Sequence, residues 1–110
     1  MKWLGVLVCL SIELFASSYG ETLFQGNCVS CHDTLQTISA PAMKEVQSVY
    51  KQRFTTKEAF KTFMVTWISK PSEKEALMPS AIKKHGLMPQ LGYDKPSLES
   101  IAEFLYDAHF

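Results

Sequence analysis

The chain predicts an all-α fold, four or five helices in one domain. Apolar residues recur three and four positions apart wherever they cluster, and no stretch alternates polar with apolar for long enough to make a strand. Capping residues and prolines punctuate the gaps between those runs. The first segment, about Gly20 to Cys28, carries Leu23 and Phe24. A second helix is expected from Pro41 to about Arg53, where Met43, Val46 and Tyr50 fall at i, i+3 and i+7. The third is the most strongly patterned: Thr55-x-x-Glu58 reads as a capping box, and Phe60, Phe63, Met64, Trp67 and Ile68 follow on one face. It should stop near Lys70, because Pro71 disfavours helical geometry at the residue before it. A short helix from Glu73 to Lys84 is expected to end on Gly86 as C-cap. The last starts around Asp94 to Ser97, tolerates Pro96 in its first turn, and runs to about Ala108 with Leu98, Ile101, Ala102 and Leu105 inward.

The N-terminus reads as an export signal. Met1-Lys2 is a one-charge leader, Trp3 to Phe15 is an apolar run broken by Ser11 and Glu13, and Ala16, Ser17 and Ser18 are small. Residues 1–18 are therefore expected to be removed, with cleavage after Gly20 as the alternative, leaving 19–110 as the mature domain. The run is too short and interrupted for a membrane span, so no stable insertion is expected once it is gone. Cys9 leaves with it, and Cys28 and Cys31 remain. The 11 basic and 11 acidic side chains cancel, and losing Lys2 and Glu13 keeps that balance. A neutral chain without a basic stripe argues against nucleic acid as a partner.

Cys28-Val29-Ser30-Cys31-His32 is the most informative stretch. Two thiols at this spacing can each add to a vinyl group on one edge of a haem, and a histidine directly after the second can ligate its iron from below. A thioredoxin-like dithiol and half of a zinc site are the competing readings of C-x-x-C. The histidine and the exported compartment favour haem c, one per chain, covalently held through Cys28 and Cys31. An exported cysteine pair would otherwise close a disulfide, but a loop this short constrains little of the unfolded chain. A domain of this size has a marginal core, which a covalently held porphyrin would enlarge.

With that motif between a helix carrying Gly20, Phe24 and Cys28 and a C-terminal helix carrying Phe104, the chain resembles the class I, small monohaem cytochromes c of the bacterial periplasm. The resemblance implies helices packed around one haem, with Gly20 permitting a close crossing of the first and last helices and Phe104 packed there. It implies His32 as proximal iron ligand. The distal ligand is to be chosen among four methionines and two further histidines. Met88 precedes Pro89 and lies 16 residues before Phe104, about the family spacing, whereas Met78 precedes Pro79 but lies 26 residues before it. Met88 is thus the expected distal ligand and Met78 the alternative. His85 or an open position remains, and Met43 and Met64 read as core. His85 and His109 otherwise read as solvated surface residues. Pro41 is the candidate whose carbonyl accepts the His32 Nδ1 proton, and Trp67 resembles an indole that donates to a haem propionate, core packing being its other reading. Arg53 reads as a solvated cation.

Two axial ligands leave no position for substrate, so the resemblance implies a non-enzymatic periplasmic carrier of single electrons. Its partners would be redox protein donors and acceptors such as membrane respiratory complexes or a terminal oxidase or peroxidase. Lys83 and Lys84 flank the distal loop, though on a neutral chain they steer weakly. The alternatives are a haem subunit held in a larger respiratory enzyme and a haem protein with an open distal site, a sensor or peroxidase-like enzyme.

Overall fold

The computed structural model describes the backbone from Leu10 and side chains from Tyr19 to Phe110. The leading charge, most of the apolar run and Cys9 lie outside the described residues. Among those described are five helices and no strand: α1 (Leu10–Asn27), α2 (Met43–Arg53), α3 (Lys57–Ser69), α4 (Pro79–His85) and α5 (Lys95–Asp107). No described helix is long and apolar enough to cross a membrane.

α5 is the hub, packed against α1 and α3 and more lightly against α2. Its expected inward face is the observed one, with Leu98, Ile101, Ala102 and Leu105 all buried. At the crossing with α1, Gly20 lies so close that a Cβ there would overlap the Ser100 carbonyl oxygen and stand 3.0 Å from the Phe104 Cβ. One turn on, the fully buried Phe24 ring packs 5.6 Å from Phe104 and 6.1 Å from Phe110, centroid to centroid. Against α3, Phe60 meets Tyr106 edge-on at 5.2 Å. The Lys57 ammonium reaches Asp107 at 2.7 Å and Glu103 at 3.3 Å, which raises its pKa through the hydrogen bond to Asp107 first. The side-chain amide of Gln47 on α2 donates to the carbonyls of Leu105 and Ala108, both at 2.7 Å, filling acceptors that the end of α5 leaves open.

Three boundaries correct the sequence reading. α1 begins at Leu10 rather than Gly20, and no proline stands ahead of Pro41 to interrupt it. α3 is capped by Thr56, whose hydroxyl accepts from the Ala59 amide at 3.2 Å. Thr55 is not its cap, and Glu58 turns outward to Lys61 at 3.8 Å instead of closing a capping box. α4 starts at Pro79, with Met78 at its N-cap, so the expected helix over Glu73–Leu77 does not form and Met78 is not inside a helix. Proline at the first helical position lacks only an N–H that would have had no partner there, which makes Pro79 a better start than Glu73. Elsewhere the punctuation behaves as written: α3 ends at Ser69 with Lys70 non-helical before Pro71, and Gly86 caps α4 at φ 87°.

Candidate functional site

The C-x-x-C-H segment continues the path of α1 as a tight turn. The Cys28 amide donates to the Phe24 carbonyl at 2.9 Å, and the His32 and Cys31 amides return to the Cys28 carbonyl at 2.8 and 3.2 Å. Both thiols are free, Cys28 half-buried and Cys31 exposed. Burial pushes the Cys28 thiol up, and the neighbouring Cys31 adds to it, the opposite of the lowered pKa that marks a reactive redox thiol.

The loop after His32 is folded back by α2. Ala42 at the N-cap offers no side-chain acceptor, so the first amides of that helix need partners. The loop supplies them: Ala42 donates to the Thr37 hydroxyl at 3.1 Å, Met43 to the Asp33 carbonyl at 2.8 Å and Lys44 to the Thr34 carbonyl at 3.0 Å. The Asp33 carboxylate in turn accepts from the Leu35 and Gln36 amides at 3.0 and 2.8 Å. This set of bonds brings the Pro41 carbonyl 2.8 Å from Nδ1 of His32. A carbonyl only accepts, so Nδ1 carries the proton and Nε2 keeps its lone pair.

His32, Cys28, Cys31 and Pro41 line one open, largely apolar cavity of about 1230 Å³ of empty space counted to its mouth. Met43, Tyr50, Met64 and Leu105 form core-side walls, while Met78 at the N-cap of α4, His85 at its end and Met88 in the loop that follows line the other side. The fit to a haem rests on more than size. Tyr50 is only 6% exposed, its hydroxyl has no hydrogen-bond partner among the described residues, and burial pushes its pKa up to about 12. Among the described residues no sealed side-chain polar atom lacks a partner, so this hydroxyl opens on the cavity, where a protonated phenol can donate to an acceptor on whatever fills it. A haem brings carboxylates, an apolar ring for the walls, and an iron for the free Nε2.

Trp67 lines the cavity, but its indole N–H donates to the Ser72 carbonyl at 3.0 Å. In this structure the carbonyl just after Pro71 takes that proton, and Trp67 contributes ring surface to the cavity, in line with the packing reading. Arg53 is exposed beside Phe54. His85, weighed from the sequence as an alternative distal ligand, is half-buried on the cavity wall. Reading the sequence missed two participants: the Tyr50 hydroxyl on that wall, and the Tyr93 hydroxyl, which donates to Asn27 Oδ1 at 2.6 Å and ties the loop after α4 to the residue before Cys28. No periodic signal marks His85 or the Asn27–Tyr93 pair. Tyr50 was visible only as one apolar position on α2. A zinc site finds no support in the donors: no cluster of three or more His, Cys, Asp or Glu exists among the described residues.

A helical fold closing on an apolar cavity, with C-x-x-C-H at its edge and a preset imidazole, defines a small c-type haem protein. The cytochrome c family model matches residues 17–107, and the chain belongs to that family, as a class I member. It is also similar to an uncharacterized protein of Aquifex aeolicus (strain VF5), 29% identical over 132 aligned positions that cover 96% of this chain and 87% of that protein. No solved structure matches. Family membership makes the chain a haem-based electron carrier and haem c its cofactor.

Proposed function

We propose that this chain is an exported carrier of single electrons between redox proteins of the periplasm, residues 1–18 being its signal, with one haem c on Cys28 and Cys31 and His32 and Met88 as axial ligands. The observation that carries the reading is the His32–Pro41 hydrogen bond at 2.8 Å in a cavity that Met88 also lines. A bound haem supplies the one-electron ferric–ferrous couple. The chain's part is to hold it still. Pro41 fixes the imidazole tautomer and strengthens it as a donor. The Met88 thioether is a soft neutral ligand that favours the reduced state and raises the potential. The apolar walls would exclude water from the bound group, and the Asn27–Tyr93 bond ties the Met88 loop to the motif. Leu87 and Leu91, 41% and 39% exposed, border the cavity and give a redox partner an apolar rim to approach.

The test is the ferric optical spectrum. A weak band near the red end of the visible reports a methionine–iron bond. The unmodified protein and Met78→Ala should show it and Met88→Ala should not. The reverse pattern makes Met78 the ligand. An unmodified protein that lacks the band and binds carbon monoxide rapidly has an open iron, and the carrier reading falls with it.

A further inference from the structure

We propose that His85 is a reserve distal ligand, an imidazole that takes the iron when the Met88 sulfur leaves and so keeps the site closed to small molecules. The inference rests on the haem reading above and adds to it. His85 and Met88 line the same cavity, three residues apart, one at the end of α4 and one in the loop that follows. Gly86 between them has φ 87° and nothing within 4 Å of where a Cβ would stand, so the backbone joining the two donors turns there without a neighbour packed on it.

His85 has no other work. No hydrogen bond or ion pair engages its ring among the described residues, although it is half-buried against an apolar wall. A polar ring on that wall without a protein partner is free to serve whatever fills the cavity. The other candidates are worse placed. His109 is exposed near the C-terminus, and Lys83 and Lys84 point to solvent and do not line the cavity. Met78 lines it but offers the same soft sulfur that Met88 already supplies. Imidazole is the harder donor and suits iron as well as a thioether does, and more so in the ferric state. In the exchange the iron–sulfur bond breaks and an iron–nitrogen bond forms from the neutral ring; no electron changes owner and nothing is consumed.

The test uses the haem-loaded chain with His85→Ala, Met88→Ala and the double variant, each checked for native helix content by circular dichroism. Met88→Ala should be low-spin ferric with a bis-imidazole electron paramagnetic resonance spectrum, and the double variant high-spin. Carbon monoxide should bind the reduced double variant at least about tenfold more tightly than Met88→Ala, since occupation by the imidazole lowers the competent fraction. His85→Ala alone should keep the methionine–iron band. A high-spin Met88→Ala overturns the proposal, as does a low-spin double variant, which would mean that Met78 or a lysine takes the site. An unmodified protein without the band, turned high-spin by His85→Ala, overturns the Met88 assignment instead, because His85 is then the resident ligand. If Met88→Ala does not accumulate, warming the unmodified protein until the band bleaches provides the same comparison. The product should be low-spin with His85 present and high-spin in His85→Ala, and equal spectra refute the reserve role.

Discussion

Replacing Gly20 by alanine adds one methyl group at the tightest point of the fold, and its effect can be worked out from what surrounds it. The new Cβ overlaps the Ser100 carbonyl oxygen, a backbone atom that cannot swing aside, and crowds the Phe104 Cβ at 3.0 Å. α1 and α5 must separate, and overpacking of this kind costs about 1–3 kcal/mol. Separation also loosens the Phe24–Phe104 pair, now at 5.6 Å, and such pairs contribute about 0.5–1.5 kcal/mol. Alanine's better helix propensity returns about 1 kcal/mol. The net is a loss of roughly 1–3 kcal/mol, a urea midpoint lower by roughly 1 M or more. Gly26→Ala is the control, in the same helix but with nothing within 4 Å of its Cβ position. It should be neutral or stabilising by up to about 1 kcal/mol. Urea unfolding of both haem-loaded variants, followed by circular dichroism, reads the difference. If Gly20→Ala proves as stable as Gly26→Ala, the close crossing is not a constraint on this fold and the reasoning fails.

Other expectations follow from single contacts. The double change Cys28→Ala, Cys31→Ala should yield a chain whose colour is lost on denaturation and whose mass shows no added haem; a covalently coloured product would refute the thioether assignment. Gln47→Ala strips two acceptors at the end of α5 of their donor and should cost about 1–2 kcal/mol in urea unfolding. Tyr50 ionises near pH 12 folded and near 10 unfolded, so its contribution is complete below pH 10 and is lost as pH climbs from 10 to 12, roughly 2–3 kcal/mol in all. Tyr50→Phe should flatten that part of the stability profile. The Lys57 ammonium, whose pKa is raised by Asp107, stabilises at neutral pH; the gap between wild type and Lys57→Met should close as pH rises above 10.5, and should shrink with added salt.

What the sequence made legible follows a physical divide. α5 and the core of α3 were readable because burial on one side writes a period into the residues, and Leu98, Ile101, Ala102 and Leu105 need no partner to announce themselves. The cysteine pair and His32 were readable because covalent chemistry demands fixed spacing. The start of α4 was not, since Glu73 to Leu77 have helix-compatible side chains and only Pro79 decides the first turn. Thr55 and Thr56 compete for one cap, and the choice lies in backbone angles, not in residue type. Trp67 shows the same limit from the other side: an indole near a cavity has several acceptors in reach, and the Ser72 carbonyl, five residues on, wins by proximity. The Asn27–Tyr93 bond is a single contact between distant stretches, for which no local pattern exists.

α4 has no buried residue of its own, and α5 gathers α1, α2 and α3 without it. The two sides of the cavity therefore belong to different stages of assembly. The scaffold of α1, α2, α3 and α5 can condense on its own apolar contacts, while the segment around α4 rests on it only through partly buried side chains such as Leu77 and Tyr93 and gains further surface when the cavity is filled. Loading the cofactor is then the last folding step as well as a chemical modification. A chain that receives its haem before α4 settles needs no reopening, so attachment should run fastest on the partly folded protein.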